Sequence, residues 1–103
     1  MGKVVNTSGK RKTAIARATV RAGKGRVRIN SVPLEFYPNE VVRLKVEEPI
    51  LLAPGALAGV DVTIDVRGGG IMGQAEAVRT ALARGLLKWH NDPKIKDIFL
   101  SYD

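Results

Sequence analysis

The sequence predicts an α+β domain, and three observations predict it. The stretches "TAIARATVR" and "GVDVTIDVR" alternate apolar and polar residues with a period of two, the mark of strands with one buried and one wet face. The stretches "NEVVRLKVEE" and "GQAEAVRTALARGLLKWH" instead space their apolar residues as helices do. A length of 103 residues at 45% hydrophobic suffices for one core and is too short for two, so residues 1–103 are expected to form a single domain.

The elements follow in order. "VVN" at 4–6 reads as a short strand, and "TSGKRK" after it as a loop, because Ser8 and Gly9 punctuate it and three like charges repel. Over 13–21, Ala14, Ala16, Ala18 and Val20 share one strand face; Ile15, Arg17, Thr19 and Arg21 share the other. "AGKG" is a glycine-rich turn and "RVRIN" alternates again, so the two strands read as a basic β-hairpin. Asn39 is the candidate N-cap of a helix that covers the sheet and that Pro49 ends or kinks. The next strand sets Val60, Val62, Ile64 and Val66 against Asp61, Thr63, Asp65 and Arg67. From Gly73 to His90, Ala75, Val78, Leu82, Leu86 and Trp89 form a helix stripe that "NDP" stops, and "KIKDIFLS" is a candidate last short helix.

Three consecutive glycines, Gly68, Gly69 and Gly70, separate that strand from that helix. Gly68, Gly70 and Gly73 satisfy G-x-G-x-x-G, but the dinucleotide fold needs a buried parallel strand, and "VDVTID" alternates with acids. Gly68 and Gly73 also fit the P-loop frame, where Gln74 and Ala75 stand in place of the required Lys and hydroxyl. Two readings remain: open backbone N–H groups beside Arg67 that could take one phosphate, or glycines that only shape a tight turn.

Charge narrows the function. The net charge is +7. Residues 1–34 hold nine basic side chains (Lys3, Lys10, Arg11, Lys12, Arg17, Arg21, Lys24, Arg26 and Arg28) and no acid, whereas the remainder holds eight basic and ten acidic groups. One end of the chain seeks a polyanion, and the absence of any aromatic before Phe36 argues for a folded or double-stranded nucleic acid held by its backbone. The most apolar window, "PILLAPGALAGV", is far too short and too interrupted to cross a bilayer, so a soluble protein without a membrane partner is expected. With no cysteine, zinc and disulfides drop out, and a reducing compartment fits. The sole histidine, His90, reads as a helix-end surface residue, and Asp61 and Asp65 stand roughly 13 Å apart along one strand, too far for a catalytic pair. No catalysis, cofactor or metal is therefore expected.

Four segments, "SGKRKTAIARATV", "GKGRVRIN", "VEEPILLA" and "VRGGGIMGQAEAVRTALARGLL", resemble in this order those of the universal family of small-subunit ribosomal protein number nine. The pattern "GGG..GQ....R...A..L" is that family's signature, and "AGKGRVRINSVPLEFYPNEVVRLKVEEPILL" resembles its archaeal and eukaryotic branch. The resemblance implies a two-layer α/β fold like the second domain of ribosomal protein number five, β-β-β-α-β-α with a left-handed βαβ crossover. Some small-molecule kinases share that fold, so the enzyme reading is set aside for want of catalytic groups and not by fold. The resemblance further implies a structural constituent of the cytoplasmic ribosome, bound to ribosomal RNA in the head of the small subunit beside the head proteins numbered seven, ten and fourteen. Its RNA-facing candidates are Lys10, Arg11, Lys12, Arg17, Arg21, Lys24, Arg26, Arg28, Arg67, Gly68, Gly69, Gly70, Gln74 and Arg79. Members of the family continue into a basic tail that reaches transfer RNA in the peptidyl site. This sequence stops at Asp103, so it is expected to be a shortened form or the ordered part, and that contact has no residue here. The alternative is a free-standing nucleic-acid-binding domain indifferent to sequence.

Overall fold

The computed structural model describes residues 3–94, 96 and 97. Strands β1 (Val4–Arg11), β2 (Ala14–Ala22), β3 (Val27–Ile29), β4 (Val32–Pro33) and β5 (Val60–Arg67) and helices α1 (Glu40–Leu52) and α2 (Ile71–His90) form two layers, with 3-10 turns at Leu34–Phe36 and Pro54–Leu57. The five strands among the described residues make one sheet in the order β1-β2-β5-β3-β4. This is the expected element order with the two-residue β4 added. The expected helix at 94–101 lies largely outside the described residues.

Two expectations are corrected. "TSGKRK" is mostly strand: β1 pairs with β2 along its whole length, from Val4 opposite Arg21 to Arg11 opposite Ala14, and only Lys12 and Thr13 turn. Gly9, which reads as turn punctuation, lies close under helix α2; a β-carbon there would lie 2.7 Å from the Ala81 backbone nitrogen and collide with the Ala77 carbonyl oxygen. The basic hairpin of β2 with β3 does not form either. β5 lies between them, antiparallel to β2 and parallel to β3, so the "AGKG" segment spans a gap one strand wide. Periodicity reports which residues share a face and says nothing about which strand lies next door.

The faces themselves follow the alternation. Ala14, Ala16, Ala18, Val20, Val60, Val62, Ile64 and Val66 are all buried under the helices. Helix α2 lies along β1 and β2, with α1 beside it. Its approach is close because Ala77, Ala81 and Gly85, four residues apart, present almost no side chain to β1, and the Thr7 hydroxyl donates to the Ala81 carbonyl at 2.9 Å. Asn39 caps α1 by accepting the Val42 N–H at 3.1 Å. Pro49 does not end the helix: α1 runs on to Leu52, and the Pro49 carbonyl accepts the Ala53 N–H at 3.2 Å. Asn91, in the left-handed region at φ 49°, terminates α2.

Candidate nucleic-acid interface

Both helices lie on one side of the sheet, so the other side is open. Register sets its side chains in rows. Ile15 stands between Lys10 and Arg67; Arg17 between Ser8 and Asp65; Thr19 between Asn6 and Thr63, with Arg28 beyond; Arg21 between Val4 and Asp61. Lys10, Arg17, Arg21, Arg28 and Arg67 thus share one exposed face that spans about three strand spacings, or ~15 Å, across the sheet and ~20 Å along β2. Burying their alternate neighbours is what holds these cations outward.

Two acids interrupt the field. Asp61 is built into the scaffold: its Oδ1 accepts the backbone N–H of Lys24 at 2.9 Å and of Arg26 at 3.1 Å. Those two hydrogen bonds, chiefly, hold its carboxyl below its ordinary pKa, and the charges of Arg26 and Arg28 add to the effect. Gly23 belongs to the same arrangement, because a β-carbon there would collide with that carboxylate. Asp65 lies opposite Arg17 without an ion pair within 4.0 Å among the described residues, and with Thr13, Ile15, Arg17, Arg67 and Gly68 it lines a shallow concavity of about 460 Å³.

The glycine turn borders that concavity, and its three glycines differ. Gly68 and Gly69 have φ of +77° and +68° and crowd the β1–β2 turn: a β-carbon on Gly68 would lie 2.5 Å from the Thr13 carbonyl oxygen, and one on Gly69 2.9 Å from the Ala14 β-carbon. Both are required by geometry. Gly70, the N-cap of α2, has φ −91° and nothing within 4 Å of where a β-carbon would stand, so neither backbone nor packing calls for glycine there. Gln74 braces the turn, with its side chain donating to the Gly68 carbonyl at 3.1 Å.

The structure does not gather every candidate. Lys24 and Arg26 sit on the connection across the open edge of this face, and Lys12 is the apex of the β1–β2 turn with φ 55°. Arg11 points to the helix side and pairs with Glu76 at 2.7 Å. Arg79 is set in the helix layer, one-fifth exposed and 3.4 Å from Glu48 of α1. Charge and periodicity do not single out Asn30, which sits at φ 49° in the tight β3–β4 turn. Its side chain accepts the Val66 N–H at 2.9 Å and donates to the Val66 carbonyl at 3.3 Å, extending the ladder between β3 and β5. An Asn closing a short alternating run is the one signal that marks it. Among the described residues no three His, Asp or Glu side chains are placed to hold a metal ion, and no helix is long and apolar enough to cross a membrane.

Residues 9–102 match the family described as ribosomal protein S9/S16. The chain is 57% identical over 101 residues to the small ribosomal subunit protein uS9 of Methanothrix thermoacetophila, covering 98% of the chain and 76% of that relative. It is 55% identical over 101 residues to the uS9 protein of Halobacterium salinarum, covering 97% and 76%. With that of Thermoplasma volcanium it shares 52% over 99 residues, covering 96% and 75%.

Proposed function

The chain belongs to the ribosomal protein S9/S16 family, and from that premise we propose that its open sheet face binds ribosomal RNA in the head of the small subunit. Membership makes it a structural component of the small ribosomal subunit, acting in translation, and not an enzyme. The observation that supports the RNA reading is the outward row of Lys10, Arg17, Arg21, Arg28 and Arg67 on the side that the helices leave bare. No aromatic side chain stands among these rows, so the face offers phosphates charge and hydrogen-bond donors and offers unpaired bases no stacking platform. Gly70 leaves the start of α2 open for a phosphate to approach the backbone N–H groups.

In this reading residues 1–103 act as one RNA-binding domain of the cytoplasmic ribosome. It sits near the head proteins numbered seven, ten and fourteen, and a basic tail beyond Asp103 would carry any contact with peptidyl-site transfer RNA. The test is filter binding to small-subunit ribosomal RNA and to a length-matched duplex DNA across a salt series. If about half of nine cations neutralise phosphates, log affinity falls with log salt at a slope of roughly −4. An Arg17→Glu, Arg28→Glu double variant is expected to lose the preference for ribosomal RNA. Equal binding to both nucleic acids would favour a sequence-indifferent binder, and binding untouched by the variant would remove the sheet face as the site.

A further inference from the structure

The helix layer divides electrostatically along α2. Toward α1 its cations are neutralised, Arg43 facing Glu40 and Lys45 and Arg79 facing Glu48, and at the start of α2 Arg11 of edge strand β1 faces Glu76. The outer surface of α1 is unsuited to RNA for a second reason, since it exposes Val41, Leu44 and Leu51 between its glutamates. The far end of α2 is different. Residues 84–96 hold four cations, Arg84, Lys88, Lys94 and Lys96, and one acid, Asp92. None of the four has a carboxylate within 4.0 Å among the described residues. Asp92 is itself tied down, its Oδ1 accepting the Lys94 N–H at 2.9 Å.

Three of these cations line one concavity. Arg84, Lys88 and Lys96, together with Leu87, Asn91, Asp92 and Pro93, surround about 510 Å³ of open space. Arg84 and Lys88 are one turn apart, about 6 Å along the axis, a spacing that serves two neighbouring phosphates of one strand. Arg84 is also fixed in direction, because its Nη1 donates to the Ser8 carbonyl of edge strand β1 at 2.9 Å. The helix dipole alone would favour a cation within the last turn, but that effect fades beyond it, and Arg84, Lys94 and Lys96 lie outside the turn.

We propose that Arg84, Lys88 and Lys96 form a second RNA-binding surface, so that the domain holds two RNA segments at once. This rests on the RNA reading of the sheet face. The two surfaces lie on opposite layers, and the 20 residues of α2 put about 30 Å between its glycine-turn end and its cationic end. One segment packs on the sheet and the other on the end of α2, and the domain neutralises the repulsion between them.

The test mixes the chain with short RNA duplexes, donor- and acceptor-labelled in equal parts and too short for one duplex to reach both faces. Energy transfer is expected to rise as chain is added and to fall when chain is in excess, with two duplexes per chain by sedimentation. A Lys88→Glu, Lys96→Glu variant, exposed positions that leave the core intact, should lose the second duplex and the energy transfer while keeping the first. Arg17→Glu with Arg28→Glu should do the reverse. One duplex per chain, indifferent to Lys88 and Lys96, overturns the second surface and leaves the sheet face standing. Loss of all binding in the Lys88→Glu, Lys96→Glu variant, with its melting temperature unchanged, overturns it too, by assigning the cations to one site. No duplex bound at all refutes the RNA reading of the sheet face itself.

Discussion

Asp61 holds Arg26 by its backbone: the carboxylate oxygen accepts the Arg26 N–H at 3.1 Å and the Lys24 N–H at 2.9 Å. An acid in the middle of a cationic face is thus what positions two of the cations, since it clamps the connection that steps across β5. Its pKa is depressed in the folded protein by those hydrogen bonds, so its contribution to stability is fully present above the unfolded carboxylate range. That contribution fades as pH falls below about 4, through the folded value. Asp61→Asn is therefore expected to flatten the acid limb of the stability curve, read as melting temperature between neutral pH and about pH 3, and to speed amide exchange at Lys24 and Arg26. An acid limb of the same slope in the variant would refute the clamp.

Gly9→Ala should be among the costliest single-methyl changes in the chain. The added β-carbon meets backbone on α2, at the Ala77 carbonyl and 2.7 Å from the Ala81 nitrogen, and backbone cannot rotate away. The loss expected from such overpacking is about 3 kcal/mol, lowering the melting temperature by more than 10 °C. Gly85→Ala meets side chains instead, Val20 at 2.9 Å and Thr7 at 3.2 Å, and gains helix propensity, so its cost should stay within about 1 kcal/mol. Equal losses would mean that the helix can shift on the sheet at both positions.

The alternation of Ala14 to Val20 and of Val60 to Val66 makes the buried face of the sheet legible in the sequence, because a half-buried strand writes its environment in period two. Asn39 and Asn91 are legible as helix ends for an equally local reason, the chemistry of capping. The neighbours of β2 are not. Its partner β5 pairs with residues 38 to 52 positions away, and nothing within either strand encodes the pairing. The site is legible as residue types, since Arg17, Arg21, Arg28 and Arg67 all fall on polar positions of alternating runs. It is not legible as a grouping: Arg11 and Arg79 look equally cationic, and only tertiary contact shows each committed to a glutamate on the helix side. The cationic end of α2 is hidden in the sequence because a tally over residues 35–103, eight basic against ten acidic groups, balances it against the acids of α1, which lie elsewhere in the fold.

Asn30 is expected to matter more than its exposed position suggests. Replacing it with Ala removes both hydrogen bonds to Val66 and leaves at φ 49° a residue without the short polar side chain that makes the left-handed region tolerable for Asn. The combined cost should be about 2–3 kcal/mol, seen as a lower denaturation midpoint with an unchanged slope. Asn30→Asp keeps the acceptor for the Val66 N–H and should lose about half as much. Faster exchange of the Val66 amide in the Ala variant alone would tie the loss to that bond, and an unchanged midpoint would show that the ladder closes without it.

The glycine turn allows conformation and contact to be separated within three consecutive residues. Gly68→Ala puts a β-carbon at φ +77° and 2.5 Å from the Thr13 carbonyl, so it should destabilise the fold by about 2 kcal/mol or more, with any effect on RNA following from that. Gly70 carries no such demand. A side chain there has room and an ordinary backbone, so Gly70→Val should melt within about 1 kcal/mol of the parent chain while covering the first free N–H groups of α2. Weaker binding of ribosomal RNA by a chain that still melts normally is then the signature of a phosphate seated at the start of α2. Unchanged affinity would mean that the turn serves geometry alone and that the arginines of the open face carry the contact.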